Sequence, residues 1–146
     1  MPVTHHDSPT SDLDPITLYK ILRMRADVFV VEQDCAFPEL DGRDIEATAR
    51  LYWSAGEDGA VLATVRLLHD GDDRRIGRVA TAPGARGYGY AGILMARAVE
   101  ASGRRAIHLD AQDRLEAWYG RFGFARSGAD FLEDDIVHIP MTRPAT

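Results

Sequence analysis

Cysteine is almost absent from this 146-residue chain: Cys35 stands alone. A single thiol excludes an intrachain disulfide and any metal centre built on several cysteines, and no metal is expected. Long apolar runs are missing too; none approaches the roughly 20 residues that a membrane-spanning helix needs. Met1 to Pro15 lack the apolar centre of a secretory leader. Cytoplasmic residence with no membrane partner is the expectation. Positive charge is also short. A formal net charge of −6 argues against a nucleic-acid partner, whose phosphates reward a basic patch. What remains, 45% hydrophobic and 27% charged, is ordinary for a globular chain of a length that supports one domain.

The acids are unevenly placed. Glu32, Asp34, Glu39, Asp41, Asp44 and Glu46 crowd one segment opposed only by Arg43, and Asp130, Glu133, Asp134 and Asp135 form a second group. Either these are solvated loops, or they form an acidic rim that draws in a cationic substrate.

Residues 1–13 are rich in His, Asp, Ser, Pro and Thr and read as a flexible arm, in which Val3 to His5 is the one stretch able to form a short edge strand. Residues 14–143 then read as a single domain. Asp14-Pro15 is a helix start, and Leu18, Ile21, Leu22, Arg25, Val28 and Phe29 carry a helical stripe to about Val30. A loop follows, with a short helix expected over Asp41 to Thr48. Leu51–Ala55 and Ala60–Leu68 read as a hairpin, and Arg75–Ala82 as a third antiparallel strand. Gly89 to Ala101 predicts a helix that turns Ile93, Leu94, Ala98 and Val99 toward a sheet and stops at Gly103. Ala106–Asp110 completes a parallel crossover. A helix over Arg114–Phe122 and strands over Phe124–Ala129 and Ile136–Met141 close the chain. The fold class is α/β in the α+β sense: a mixed, mostly antiparallel sheet of six to seven strands with helices on both faces.

The most informative segment is Arg86-Gly-Tyr-Gly-Tyr-Ala91, which lies between a strand and a helix N-terminus. Glycines let the backbone turn so that its amides converge on an anion, and the helix adds unpaired amides and a partial positive charge. A phosphate-bearing cofactor is implied. Gly87, Gly89 and Gly92 also spell the dinucleotide fingerprint G-x-G-x-x-G. Three features oppose that reading: Pro83 to Arg86 separate the glycines from the strand, three strands precede them, and too little chain follows Asp110 for a doubly wound sheet.

Read as Arg86-x-x-Gly89-x-Ala91, the loop resembles the Q/R-x-x-G-x-G/A signature of the GNAT superfamily of N-acetyltransferases. Trp118-Tyr-Gly-Arg-Phe-Gly-Phe124 is similar to the family's F-Y-x-x-x-G-F. Leu22 to Gln33, followed by Asp41-Gly42, and His138-Ile-Pro-Met141 look like the ElaA-like branch. The resemblance implies direct transfer of an acetyl group from acetyl-coenzyme A to an amine. It implies that Arg86, Gly87, Tyr88, Gly89, Tyr90 and Ala91 hold the pyrophosphate. It also implies that backbone amides at Val79, Ala80 and Thr81 bond the pantetheine along a splayed strand edge, one near Val79 or Ala80 polarising the thioester. Many members carry an asparagine where Gln112-Asp113 stands here, and Gln112 is taken as its substitute beside the pantetheine.

An alkylammonium with a pKa of about 10.4 must lose a proton before it attacks, and a departing thiolate near 8.5 gains from a donor. By the resemblance, Tyr119 is that donor. The base is open among His108, Asp110, Glu32, Glu39, His138 and a water chain. His138 has a suitable titration range, and Glu32 lies where relatives form the acceptor wall. Arg121 and Arg126 are candidates for the adenosine 3′-phosphate. Cys35 has no basic neighbour in sequence to activate it as a nucleophile. The acceptor expected is a small polyamine-like or basic peptide amine. The rival reading is a non-catalytic acyl-coenzyme A sensor or interaction module.

Overall fold

The computed structural model describes residues 2–146. Its strands are β1 (Thr4–Pro9), β2 (Arg50–Ala55), β3 (Val61–Asp70), β4 (Asp73–Thr81), β5 (Ile107–Gln112), β6 (Ala125–Arg126), β7 (Phe131–Glu133) and β8 (Ile136–Arg143). They form one eight-stranded sheet of order β1-β2-β3-β4-β5-β8-β6, with β7 also paired to β8. Every pairing is antiparallel except β4 with β5. Helix α1 (Pro15–Ala26) covers one face; α2 (Tyr90–Ala101) and α3 (Glu116–Gly120) cover the other. Among the described residues no helix is long and apolar enough to cross a membrane.

Two cores follow from strand alternation. Tyr52, Val65, Leu67, Ile76, Ile107, Leu109 and Met141 pack against Leu94, Met95 and Ala98 of α2 and Tyr119 of α3. Leu51 and Ala80, on the opposite face, meet Ile21, Met24 and Val28. The phase of α2 differs from expectation at one residue. Ala91, Leu94, Met95 and Ala98 are buried, one stripe at i, i+3, i+4, i+7; Ile93 lies off that stripe and is 40% exposed.

Within the expected arm an edge strand does form, longer than the Val3 to His5 stretch considered for it: Thr4–Pro9, followed by a 3₁₀ turn at Thr10–Asp12. β1 pairs with β2 from Thr4↔Ala55 to Pro9↔Arg50. Its polar side chains misled because an edge strand is held by its backbone and tolerates a polar face. Here His5 bonds Ser54 at 2.7 Å, His6 stacks on Trp53, and Arg50 pairs with Asp7 at 2.6 Å. β7 was not expected and makes the sheet eight-stranded. Asp134 and Asp135 both take positive φ, 52° and 65°, so Glu133 and Ile136 pair across a two-residue turn. The strand expected over Phe124–Ala129 pairs only at Ala125 and Arg126. After the Ser127 amide donates to the Pro140 carbonyl at 2.8 Å, Pro140 has no N–H to return and the ladder ends.

The first helix changes character before it ends. Asp27–Glu32 is π-helical, with the amides of Gln33 and Cys35 donating to the carbonyls of Val28 and Val30, five residues back, at 3.3 and 3.0 Å. In place of the helix expected over Asp41–Thr48 there is one 3₁₀ turn, Arg43–Ile45. Charge holds this region. Arg25, 1% exposed, donates to Glu39 at 2.7 Å and to both carboxylate oxygens of Asp44 at 2.7 and 3.1 Å. Arg66 forks onto Asp41 at 2.9 and 3.0 Å. Arg43 reaches Glu46 at 2.8 Å and Asp70 at 2.7 Å. The acidic segment 32–46 is therefore neither a solvated loop nor a free acidic rim, since most of its carboxylates are spent on arginines. Lys20 is the lone lysine, and planar guanidinium forks suit buried pairs better than ammonium groups do.

Candidate active site

The parallel ladder between β4 and β5 is short. It joins Arg74↔Ile107 and Arg75↔His108 and then stops, so the two strands diverge. From Ile76 to Thr81 the edge of β4 lines a cavity of about 1200 Å³. The β3–β4 ladder is also interrupted: Arg66 pairs with Gly77 and Thr64 with Ala80, so Arg78 and Val79 together oppose Val65. This is a β-bulge, a device that re-aims backbone groups.

Beyond β4, a 3₁₀ turn (Pro83–Ala85) leads into the glycine loop. Gly87 and Gly89 have φ of 88° and 78°, and a Cβ built on either meets no atom within 4 Å. Side chains are excluded there by backbone conformation, and the space in front is open, as an anion cradle requires. Gly89 caps α2 without any side-chain hydrogen bond, leaving the first amides of a 12-residue helix for a ligand. Gly92 differs: its φ is not positive, and a Cβ there would meet the Phe122 ring at 3.7 Å. The dinucleotide fingerprint is a coincidence of spacing, and the antiparallel sheet order excludes the doubly wound fold it requires.

The sequence-derived residues converge. Glu32, Val79, Ala80, Thr81, Arg86, Gly87, Gly89, Tyr90, Ala91, Gln112, Tyr119 and His138 all line this one cavity. Tyr88 does not; it is 68% exposed and stacks on Tyr90 at 5.6 Å. Arg86 is engaged. Its fork closes on Glu32 at 2.6 Å through both nitrogens, and Nε donates to the Thr81 carbonyl at 3.0 Å. The Arg86 hydrogen bond holds the Glu32 carboxyl below its ordinary range. The next residue, Gln33, accepts from Gln112 at 3.3 Å, so the π-helical turn reaches both walls of the cleft. Of the two arginines considered for a 3′-phosphate, Arg126 is taken by Asp130 and Glu116. Arg121 lines the cavity, over the Trp118 ring.

The candidate bases separate clearly. Glu39 is buried between Arg25 and Arg78. His108 is fixed between Thr142 at 3.0 Å and Asp73 at 2.8 Å and does not line the cavity. Asp110 lies 3.5 Å from Arg75. Glu32 holds Arg86. His138 is differently placed: its Nδ1 lies 2.8 Å from the Ile136 carbonyl. A carbonyl only accepts, so Nδ1 carries the proton, and Nε2 lies 3.9 Å from the Glu133 carboxylate. Tyr119 is 6% exposed and packs edge-on against Trp118 and Phe124. Burial pushes its phenol well above the ordinary range, so it is protonated at any physiological pH.

Sequence reasoning missed Arg25, Arg66 and Arg78. Arg25 sat in the apolar stripe of α1, and an arginine at a core position of an amphipathic helix was the signal available.

Comparison with known proteins agrees with this geometry. Residues 30–144 match the acetyltransferase (GNAT) domain family. A UPF0039 protein of Mycobacterium tuberculosis is 45% identical over 139 residues, covering 92% of this chain and 89% of the relative. Protein ElaA of Escherichia coli is 34% identical, covering 95% and 92%. The crystal structure of E. coli ElaA superposes with a TM-score of 0.90 at 31% identity, covering 97% of this chain and 99% of that one. An acyl-CoA N-acyltransferase from Pseudomonas aeruginosa gives 0.91 at 38% identity over 97% and 99%. The chain belongs to the GNAT acetyltransferase family, whose members use an acyl-coenzyme A cosubstrate, and its relatives include the ElaA and UPF0039 proteins.

Proposed function

We propose that the protein moves an acetyl group from acetyl-coenzyme A directly onto a primary amine carried by a cationic small molecule or peptide. The carrying observation is the divergence of β4 from β5, which leaves a strand edge running into an open glycine cradle. An extended pantetheine arm adds to such an edge as a strand would. Gly87 to Ala91 would hold the pyrophosphate, and amides at Val79 to Thr81 the pantetheine. Gln112 would flank it. Acetyl-coenzyme A supplies the activated acyl thioester. His138 Nε2, directly or through water, takes the proton of the acceptor ammonium. The Val79 amide, turned out by the bulge, donates toward the acyl oxygen. Tyr119 donates to the departing sulfur as the new C–N bond replaces the C–S bond.

The preference for a cationic acceptor rests on different acids from those the sequence suggested. Among the described residues Asp34, Asp134 and Asp135 have no arginine partner; burial first, and then the charges of Asp134, Asp135 and Asp34, push the Cys35 thiol up. Cys35 donates to the Asp134 carbonyl at 3.4 Å, and Cys35, Glu133 and Asp134 line the cavity, Glu133 3.9 Å from His138. Uncompensated carboxylates there favour a positively charged acceptor. The raised thiol pKa also argues against an acyl-cysteine route.

Coenzyme A should raise the melting temperature where NAD does not, and an amine screen should report free thiol with at least one cationic acceptor. Absence of coenzyme A binding would remove this reading. Glu32→Gln is a sharper probe. If Arg86 leaves Glu32 to meet a phosphate, the variant should bind coenzyme A about two- to fivefold more tightly, the scale of an exposed ion pair. Calorimetry showing weaker binding would exclude that exchange.

A further inference from the structure

We propose that Arg78 is a positioning residue for acyl transfer: from the β4 bulge its guanidinium holds the segment Phe37–Asp41 over the unpaired strand edge. The inference rests on the acyltransferase reading above and adds to it the element that sets the acceptor wall against the thioester site.

The backbone supplies the first observation. Arg78 has φ of 50°, while the other non-glycine residues with positive φ are Asp34, Asp134 and Asp135. Those three are aspartates in turns; Arg78 is inside a strand. Aspartate tolerates this region through local hydrogen bonds, whereas a long side chain gains nothing there locally. Glycine would adopt the conformation without strain. An arginine that carries such strain is retained by something its side chain does at a distance.

The side chain supplies the second. All its polar partners belong to one segment. Nε stands 2.5 Å from Glu39 Oε1, an ion contact rather than an aligned hydrogen bond. Nη2 donates to the Glu39 carbonyl at 3.0 Å and reaches Asp41 Oδ2 at 3.3 Å. The guanidinium lies over the Phe37 ring at 5.6 Å. Phe37, Pro38 and Asp41 line the cavity, and Phe37 meets Phe29 edge-on. This segment has no regular secondary structure; Arg25 holds Glu39 and Arg66 holds Asp41, and Arg78 is the tether that comes from the β4 edge.

Geometry at the bulge is the third. The Thr64 hydroxyl donates to the Arg78 carbonyl at 3.1 Å, fixing the peptide whose N–H belongs to Val79. One residue thus sets both the direction of that amide and the height of the wall above it.

Arg78→Gly separates the two roles, because it keeps the backbone conformation and deletes the tether. Amides 35–41 should exchange hydrogen about tenfold faster than in the wild type, as a segment losing its anchoring contacts does. Coenzyme A affinity should stay within about twofold, because the cradle is untouched, while hydrolysis of acetyl-coenzyme A without amine rises about threefold as water reaches the thioester. Arg78→Lys, which keeps charge without the fork, should restore neither property. Unchanged exchange at 35–41, or hydrolysis that falls in step with coenzyme A affinity, would overturn the proposal. Should Arg78→Gly not fold, Phe37→Leu removes the ring beneath the guanidinium and is read by the same measurements. Failure of the wild type to bind coenzyme A overturns the acyltransferase reading as well. Wild-type binding with an indifferent Arg78→Gly overturns the positioning role alone.

Discussion

Replacing Tyr119 with phenylalanine should lower turnover by about 10²–10³-fold while coenzyme A affinity stays within about twofold. The phenol is buried among Trp118 and Phe124 and lines the cavity, so the ring packs equally well without its hydroxyl. Nothing in the glycine cradle or the β4 edge depends on that oxygen. On the proposed mechanism, what is lost is a donor to the departing thiolate. Because burial raises the phenol above its ordinary range, Tyr119 is always protonated, but complete proton transfer to a thiolate of pKa near 8.5 is uphill. Its contribution is then a hydrogen bond that strengthens as charge develops on sulfur in a dry site. The pH–rate profile should accordingly show no limb from Tyr119 below about pH 10. Steady-state kinetics of thiol release with calorimetry of coenzyme A binding checks both halves. An active Tyr119→Phe would remove the acid role, and a wild type that binds coenzyme A yet turns over no amine would favour the non-catalytic sensor.

The second large effect is on stability. Arg25→Met should destabilise the fold by about 3–5 kcal/mol, because removing the central member of a buried ion cluster leaves two buried carboxylates only partly compensated, Glu39 by Arg78 and Asp44 by Arg66. Glu39 and Asp44 are 5% and 6% exposed, and each makes a close ion contact with Arg25. At this chain length the loss corresponds to a fall of roughly 10 °C in melting temperature. The deficit should shrink on acidification. Loss of Arg25 raises the folded-state pKa values of these buried carboxylates relative to the wild type, so the variant's native state takes up more protons and its deficit shrinks as pH falls through that window. Thermal melts of both proteins between pH 5 and pH 8 test this; a deficit independent of pH would mean that packing, not charge, was lost.

Local chemistry was readable where it is dictated locally. The capping Asp14, which accepts from the Thr17 amide at 2.9 Å, and the left-handed Gly87 and Gly89 act within a few residues, so spacing alone disclosed them. The alternation that separates Leu51 from Tyr52 on opposite faces belongs to the same class. One element was legible only in part and another escaped, because their stability is not local. β1 is polar and is a strand only because β2 offers it an edge. β7 turns on Asp134-Asp135, a pair less obvious as a hairpin turn than one containing glycine.

The charges escaped for the same reason. Between Glu32 and Glu46 the sequence offers one opposing arginine, yet Arg25, Arg66, Arg78 and Arg86 arrive from 14, 25, 37 and 54 residues away along the chain. Sequence distance says nothing about such partners, because folding brings them together by packing elements whose registry is set elsewhere. Composition and periodicity determined the class of sheet, the order of most of its elements and the place of the glycine loop that leads into α2. Only tertiary structure decided which carboxylates are spent on arginines, which of the candidate histidines lines the cavity, and that Arg86 rests on Glu32. Backbone conformation is a property of neighbours in the chain, whereas electrostatic balance in a site is a property of neighbours in space.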